Sequence, residues 1–405
     1  MADTARDWAT DYDIFDPAYV GNPFPIWDDL RQTCPVAHTE HWGGSWLPTT
    51  YADVTAIARD VEHFSSRSVS VVPPPSPEEL AATGGGPVLA AGVPPISSDP
   101  PVHTWSRRLI LPWFSNNRVA EYEVYTRELC RRLVNGFIED GRADAAADYA
   151  QQIPVRVIGL ILGVPESMSD TFTGWVRDLL EFAYDAERRA KARNELVPYF
   201  FNLMQERRAN PGDDLISELL QAEVDGQPVP DAHILGTVAL TLIAGVDTTW
   251  SAIGSAMWHL ATHPDDRRRL VAEPELMPVA IEELLRAYSP VTMARIVVDD
   301  IDFQGCPMKA GDRVLMNFPA ANRDPEAFPD PDQVIIDREI NRHVAFGAGI
   351  HRCAGSNLAR MEMRVAVEEW LARIPEFDLD PSGEVTWAGG QVRGPRNCPV
   401  QFPNR

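Results

Sequence analysis

Phe346-Gly347-Ala348-Gly349-Ile350-His351-Arg352-Cys353-Ala354-Gly355 is the stretch on which the reading of this chain turns. Apolar and interrupted by glycine, it delivers one cysteine, Cys353, to the start of a long helical pattern, Ala354 to Ile374. Unpaired N–H groups and the positive end of the helix dipole gather at such a start, so a sulfur there is favoured as thiolate, the form that binds metals. Gly347, Gly349 and Gly355 permit positive φ and the close approach of a flat ligand, and Phe346 offers a ring beside it. Taken alone, Cys-x-Gly reads more readily as a buried cysteine in a glycine-rich turn before a helix.

Composition sets the outer bounds. A chain of 405 residues can hold two or three domains, or one large fold with a sizeable core. Its 36 Lys plus Arg against 59 Asp plus Glu give a net charge of −23, which opposes long-range attraction to nucleic acid or an anionic membrane. Cys34, Cys130, Cys306, Cys353 and Cys398 are odd in number, widely spread and without a Cys-x-x-Cys pair. A disulfide framework, a zinc knuckle and a built-in iron–sulfur cluster are thereby disfavoured, and a reducing compartment is the default. The opening Met-Ala-Asp-Thr-Ala-Arg-Asp-Trp has no apolar core of signal-peptide length, so a cytoplasmic chain without a membrane anchor is expected.

Six positions of the opening stretch, Phe346, Gly347, Gly349, His351, Cys353 and Gly355, match one by one the haem-binding loop of the cytochrome P450 monooxygenases, and the chain resembles that family. The resemblance implies that Cys353 is the axial ligand of the haem iron, a thiolate that favours oxygen–oxygen cleavage. It implies a fold that is mainly α with a smaller β-rich region, a triangular prism. Haem b (Fe-protoporphyrin IX) would lie between a long central helix and the helix led by Cys353. Features of the family run from Pro23 to Phe402, which argues for a single haem domain over residues 1–405.

Along the chain, Pro23 to Arg31 fits a short helix with proline in its first turn, Trp42 to Thr50 a hairpin, and Tyr51 to Arg59 a second short helix. Ser65 to Ser98, with Pro73-Pro74-Pro75, Gly84-Gly85-Gly86 and Pro94-Pro95, cannot sustain a regular element. It reads as a long flexible loop or an interdomain linker; the resemblance makes it a wall of the substrate pocket. His103 and Arg107 follow at a spacing of four, so on a helix they share a face and can grip an anion together, or form an exposed basic face. In the family, His-x-x-x-Arg after Asp-Pro-Pro holds a haem propionate. Asn117 to Gln221 is helical in pattern, with breaks at Gly141, Gly163-Val164-Pro165 and Asn210-Pro211-Gly212. The resemblance places the mobile, substrate-covering helices at Thr171 to Arg208.

Asp231 to Thr262 reads as one helix, about 45 Å long at 1.5 Å per residue. It is apolar on more than one face, so it is buried in protein or spans a membrane; Asp247, Thr248, Thr249 and Ser251 interrupt it and favour burial. A carboxylate and a hydroxyl in an oily helix cost stability unless partnered. Thr248 can bond back to the Ala244 carbonyl and Asp247 can sit in an ion pair. Beside Cys353, however, Ala244-Gly245-Val246-Asp247-Thr248-Thr249 resembles the family's acid–alcohol pair over the distal haem face. There the hydroxyl holds oxygen and an ordered water, and a partly exposed carboxylate refills the proton path. Gly245 would let the helix open locally, Ala244 would face the haem, and Leu240, Ile243 and Ala244 become candidate substrate contacts.

Leu276 to Tyr288 is a further helix in which Glu283 and Arg286 share a face. The spacing alone marks any surface ion pair. In the family, Glu-x-x-Arg is a buried structural pair completed by a later arginine, best matched here by Arg338. The pattern around Arg338 is only partly kept, with Val334-Ile335 and Asn341-Arg342-His343 where many relatives have Phe-Asp and Asn-Pro-His. Arg295, in a strand-rich segment through Phe318, resembles the second propionate-binding arginine, and Val291 with Thr292 the apolar wall beside substrate. Pro307 to Gly311 reads as a turn, and Arg393 to Val400 resembles the closing hairpin of the family.

The resemblance implies insertion of one oxygen atom of O2 into a small, largely apolar organic substrate, by hydroxylation or oxidative dealkylation. It leaves no room for a reductase module, so electrons come from a separate ferredoxin and its NAD(P)H-dependent reductase. Arg338, Arg342, Arg352, Arg360 and Arg364 against Glu339 and Glu362 make a positive island in an acidic chain. The ferredoxin is therefore expected to dock near Cys353 through Arg352, Arg360 and Arg364. No nucleic acid or membrane partner is expected, and the chain is expected to be a monomer. A peroxygenase driven by hydrogen peroxide and a non-catalytic haem sensor or carrier are the alternatives. Neither accounts for Asp247 and Thr248.

Overall fold

The computed structural model describes residues 6–74 and 92–403 of the chain. Its framework is the helices α1 (Phe24–Thr33), α2 (Tyr51–Arg59), α3 (Val102–Ile110), α4 (Asn116–Phe137), α5 (Gln152–Leu162), α6 (Ser169–Leu180), α7 (Ala186–Ala209), α8 (Asp231–Thr262), α9 (Pro264–Ala272), α10 (Met277–Ala287) and α11 (Ser356–Arg373). Local chemistry sets their ends. Thr50 caps α2 by accepting the Asp53 N–H, Asp185 accepts two N–H groups at the start of α7, and Gly163 closes α5 at φ 68°.

The main core gathers around α8, which packs on α5, α6 and α11 and is buried through most of its length. The helix is long and apolar enough to cross a membrane by length and composition, but most of it is enclosed by protein. It stays helical through Ala244–Thr249, so the local opening expected at Gly245 is not present. The glycine has a packing reason instead: a Cβ there would fall 2.4 Å from Ile158 Cδ1 of α5.

The β-rich part is built on β1 (Val36–Thr39), β2 (Ser45–Pro48), β3 (Phe64–Ser65), β4 (Thr292–Val297), β5 (Ile301–Phe303), β6 (Cys306–Met308), β7 (Arg313–Asn317), β8 (Thr386–Ala388) and β9 (Gly394–Asn397). One sheet runs β1-β2-β7-β4-β3, with β2 and β7 its parallel neighbours. β5–β6 and β8–β9 are separate hairpins.

Several boundaries differ from the sequence expectations. The first hairpin starts at Val36, and a short helical turn, His41–Gly43, joins its strands. Pro307 lies inside β6, where a two-stranded edge tolerates its missing N–H, and the turn is Gln304-Gly305, both at positive φ. Arg142–Asp144 is a strand that pairs with Pro399–Gln401, interrupting the stretch read as helical. Within the loop expected over Ser65–Ser98, residues 66–74 and 92–98 carry no helix or strand, and residues 75–91 lie outside the described residues.

Candidate active site

The cysteine loop is fixed by its own backbone and by α2. The Cys353 N–H donates to the Phe346 carbonyl at 2.8 Å and the Gly347 N–H to the Val344 carbonyl at 2.9 Å. Gly349, at φ +69°, passes so close to α2 that a Cβ would lie 2.5 Å from the Ala58 carbonyl oxygen, so only glycine fits. The Arg360 guanidinium covers the Phe346 ring at 4.4 Å. α11 itself starts at Ser356, and Gly355 lies between it and the sulfur.

Cys353 is accessible, yet the protein around it desolvates its thiol. A sulfur both reachable and desolvated sits in a recess. Desolvation pushes its pKa up, against the pull of the Gly355 N–H and of Arg107, Arg352 and Arg360. Position at a helix start therefore does not by itself make the thiolate here; coordination to a metal would.

Four cationic or imidazole side chains adjoin the loop. His103 is buried, packs tilted against the His351 ring with centroids 4.2 Å apart, and leaves Nε2 without a partner among the described residues. His351 Nε2 pairs with Ser66 Oγ at 2.9 Å. Arg107 donates to the Arg352 carbonyl, which joins α3 to the cysteine loop. Arg295 is buried on β4 and its guanidinium bonds the Ala294 carbonyl at 2.9 Å. Burial lowers Arg295 to about 10 and His351 to about 3, so both are groups short of negative charge. An accessible sulfur, an unpartnered imidazole nitrogen and a buried guanidinium fit the iron and the acidic side chains of haem.

On α8, Ala244 is exposed and Leu240, Ile243 and Thr248 half-buried, while Val246, Asp247 and Thr249 are buried. The helix thus opens on one strip, and that strip holds the hydroxyl. Thr248 Oγ1 donates to the Ala244 carbonyl at 2.7 Å, which leaves its lone pairs free to accept. Asp247, expected to be partly exposed, is fully buried because its side chain turns away from the strip into an ion pair. Arg396 of β9 reaches its carboxylate at 2.8 Å and Ser251 Oγ lies 3.4 Å away. Arg396 also contacts Glu181 at 3.0 Å, and Glu181 pairs with Arg177 of α6 at 2.8 Å. Burial raises the Asp247 pKa and Arg396 only partly offsets it.

Glu283 is buried against the segment that precedes the loop, bound by Arg286 at 2.8 Å and by Arg338 at 3.0 Å. Val291 bridges Val392 and is half-buried. Thr292 is buried, and strand alternation turns it to the face opposite Val291 and Arg295, so the two do not share one wall. The positive island is largely cancelled. Arg338 is spent on Glu283, Arg360 pairs with Glu282 at 2.6 Å, and Arg364 with Glu123 at 2.6 Å. Arg342 and Arg352 stay exposed, without an ion-pair partner among the described residues.

A family model described as Cytochrome P450 matches residues 166–385. The mycinamicin IV hydroxylase/epoxidase of Micromonospora griseorubida is 35% identical over 92% of this chain and 94% of that one. The chain belongs to the cytochrome P450 family. Vitamin D(3) 25-hydroxylase of Pseudonocardia autotrophica is 36% identical over 91% of this chain and 90% of its own length. Among solved structures, CYP109E1 from Bacillus megaterium, in complex with testosterone, superposes with a TM-score of 0.85 at 32% identity, covering 94% of this chain and 98% of that one. The P450 fold, mainly α with smaller sheets, is thus confirmed, and the chain is a haem-dependent monooxygenase, an oxidoreductase that uses O2. Members of the family generally use redox partners and small-molecule substrates.

Sequence reasoning missed Arg396 and Glu181. The only signal was the demand of a buried Asp247 for a cation, which does not say which of 36 Lys and Arg answers it.

Proposed function

We propose that this P450, a cytoplasmic monomer with one haem domain over residues 1–405, oxidises a largely apolar molecule with electrons from a separate ferredoxin and its reductase. Cys353 would hold the haem iron, and His103, Arg107, Arg295 and His351 its acidic side chains. Bound haem supplies oxygen activation, placing one oxygen atom in substrate and releasing the other as water. The single observation that carries the reading is the accessible strip on α8, where a hydroxyl, Thr248, meets an otherwise apolar wall of Leu240, Ile243 and Ala244.

With its own hydrogen given to Ala244, Thr248 Oγ1 accepts a hydrogen bond from a water or from a protonated oxygen and so holds a proton donor in place. Asp247, next to Thr248 in the chain and with a raised pKa, would be the group that holds a proton in reserve for that donor. Arg396 and Glu181 connect this acid to the end of α6, one of the two helices that, with residues 65–98, would cover the pocket. Neighbouring apolar residues exclude water that would release peroxide instead.

Relatives named for mycinamicin IV, vitamin D(3) and steroid oxidation support a bulky apolar substrate. The ferredoxin would dock near Cys353 through exposed Arg342 and Arg352, with Arg360 and Arg364 contributing little while paired. Titration of the holoprotein with vitamin D(3), testosterone and mycinamicin IV, read as a spin-state change in the haem spectrum, tests the substrate class. Absence of any change with all apolar probes, or product formed with hydrogen peroxide alone and none with ferredoxin and reductant, would overturn the reading.

A further inference from the structure

The four cysteines other than Cys353 fall into two pairs. Cys130 and Cys398 are buried, and burial pushes both up to about 12, so they are inert. Cys34 and Cys306 are half-buried and, though distant in the chain, lie close enough to interact electrostatically. Both sulfurs point at one oxygen, the Val36 carbonyl, at 3.6 Å from Cys34 and 3.9 Å from Cys306. Each is followed by a proline, Pro35 or Pro307, which offers no N–H to engage the sulfur.

Neither cysteine lies inside a helix. Cys34 lies just past the end of α1 in a non-helical conformation, and Cys306 follows the Gln304-Gly305 turn of the separate β5–β6 hairpin. We propose that Cys34 and Cys306 are a redox couple that closes to a disulfide when the protein meets peroxide. The Cys34 sulfur attacks one peroxide oxygen, the O–O bond breaks, and a sulfenic acid and one water result. The Cys306 sulfur then attacks the sulfenic sulfur, forming the S–S bond and expelling a second water. Two thiol hydrogens leave and their two electrons reduce the peroxide. Burial, Cys34, Asp302 and Asp53 hold Cys306 towards the thiol form. Peroxide is also what a monooxygenase releases when electrons arrive without product. That source rests on the proposed function, whereas the test adds the oxidant directly.

Reduced holoprotein is treated with equimolar hydrogen peroxide or with diamide, quenched, alkylated and mapped without reductant. The expected result is a protein lighter by two hydrogens and a Cys34–Cys306 linked peptide that dithiothreitol reverses. The thermal midpoint should stand several degrees above that of the reduced protein. Cys34→Ser and Cys306→Ser should each abolish the link; if either fails to load haem, the alanine variant replaces it. Oxygen added to either cysteine without a link, or both thiols alkylated after oxidant as fast as before, would overturn the proposal.

Discussion

Glu283 in α10 and Asp247 in α8 are both buried completely, and arginine answers both, but to different degrees. Glu283 accepts from Arg286 twice at 2.8 Å, from Arg338 at 3.0 Å, from Asn341 at 3.1 Å and from the Ile335 N–H at 2.8 Å. Asp247 has Arg396 and a distant Ser251 hydroxyl. A carboxylate with its lone pairs filled by donors from several segments serves as a joint between them. One with few donors stays close to taking a proton. On the proposed function, that difference separates the structural acid, Glu283, from Asp247, the one suited to chemistry.

The contrast can be broken most severely at Glu283. Glu283→Ala strands Arg286 and Arg338 as buried charges, and a loss of about 3–5 kcal/mol is expected. Denaturant unfolding and haem content measure it; a loss below about 1 kcal/mol would deny the joint its role. Next, Thr248→Ala should leave electron consumption running while product per electron pair falls by at least about tenfold and hydrogen peroxide accumulates. Fully coupled oxidation in that variant would remove Thr248 from the mechanism.

Arg396→Met sharpens the comparison, because Asp247 can escape its loss by protonating. The expected cost is about 1–3 kcal/mol, less than at Glu283. The sign of the pH dependence follows from the raised folded pKa. The folded state holds the Asp247 proton above the ordinary carboxylate range, so this acid's contribution to stability is present at low pH and is lost as pH rises through the folded value. Without Arg396 that fall moves to higher pH, which unfolding curves across pH 4–9 would show. Smallest of all, Arg352→Glu should slow ferredoxin-driven reduction by about tenfold at low salt, and Arg364→Glu by less, since Arg364 already pairs with Glu123 and Glu368. Equal effects would place the docking face elsewhere.

The same two acids show what was legible in the sequence. Glu283 and Arg286 are three apart on one helix, so their pairing follows from helical geometry, and the Phe346–Gly355 loop carries its signal in consecutive residues. Helices α2 and α8 were readable from apolar periodicity and end signals within a residue or two. Asp247 was visible, but its partner lies on β9, and such a pairing depends on how the C-terminal hairpin packs over α8. The positive island failed for a related reason. Counting charge along the chain cannot see that Glu282 and Glu123 come in from α10 and α4 to neutralise Arg360 and Arg364.

What remains is to measure the sulfur itself. Carbon monoxide added to reduced, haem-loaded protein should produce the strongly red-shifted Soret band of thiolate coordination, and Cys353→Ser should lose it while keeping its fold. An unshifted band from intact, fully loaded protein, or a porphyrin held by one of the histidines, would contradict the assignment of Cys353 and everything built on it.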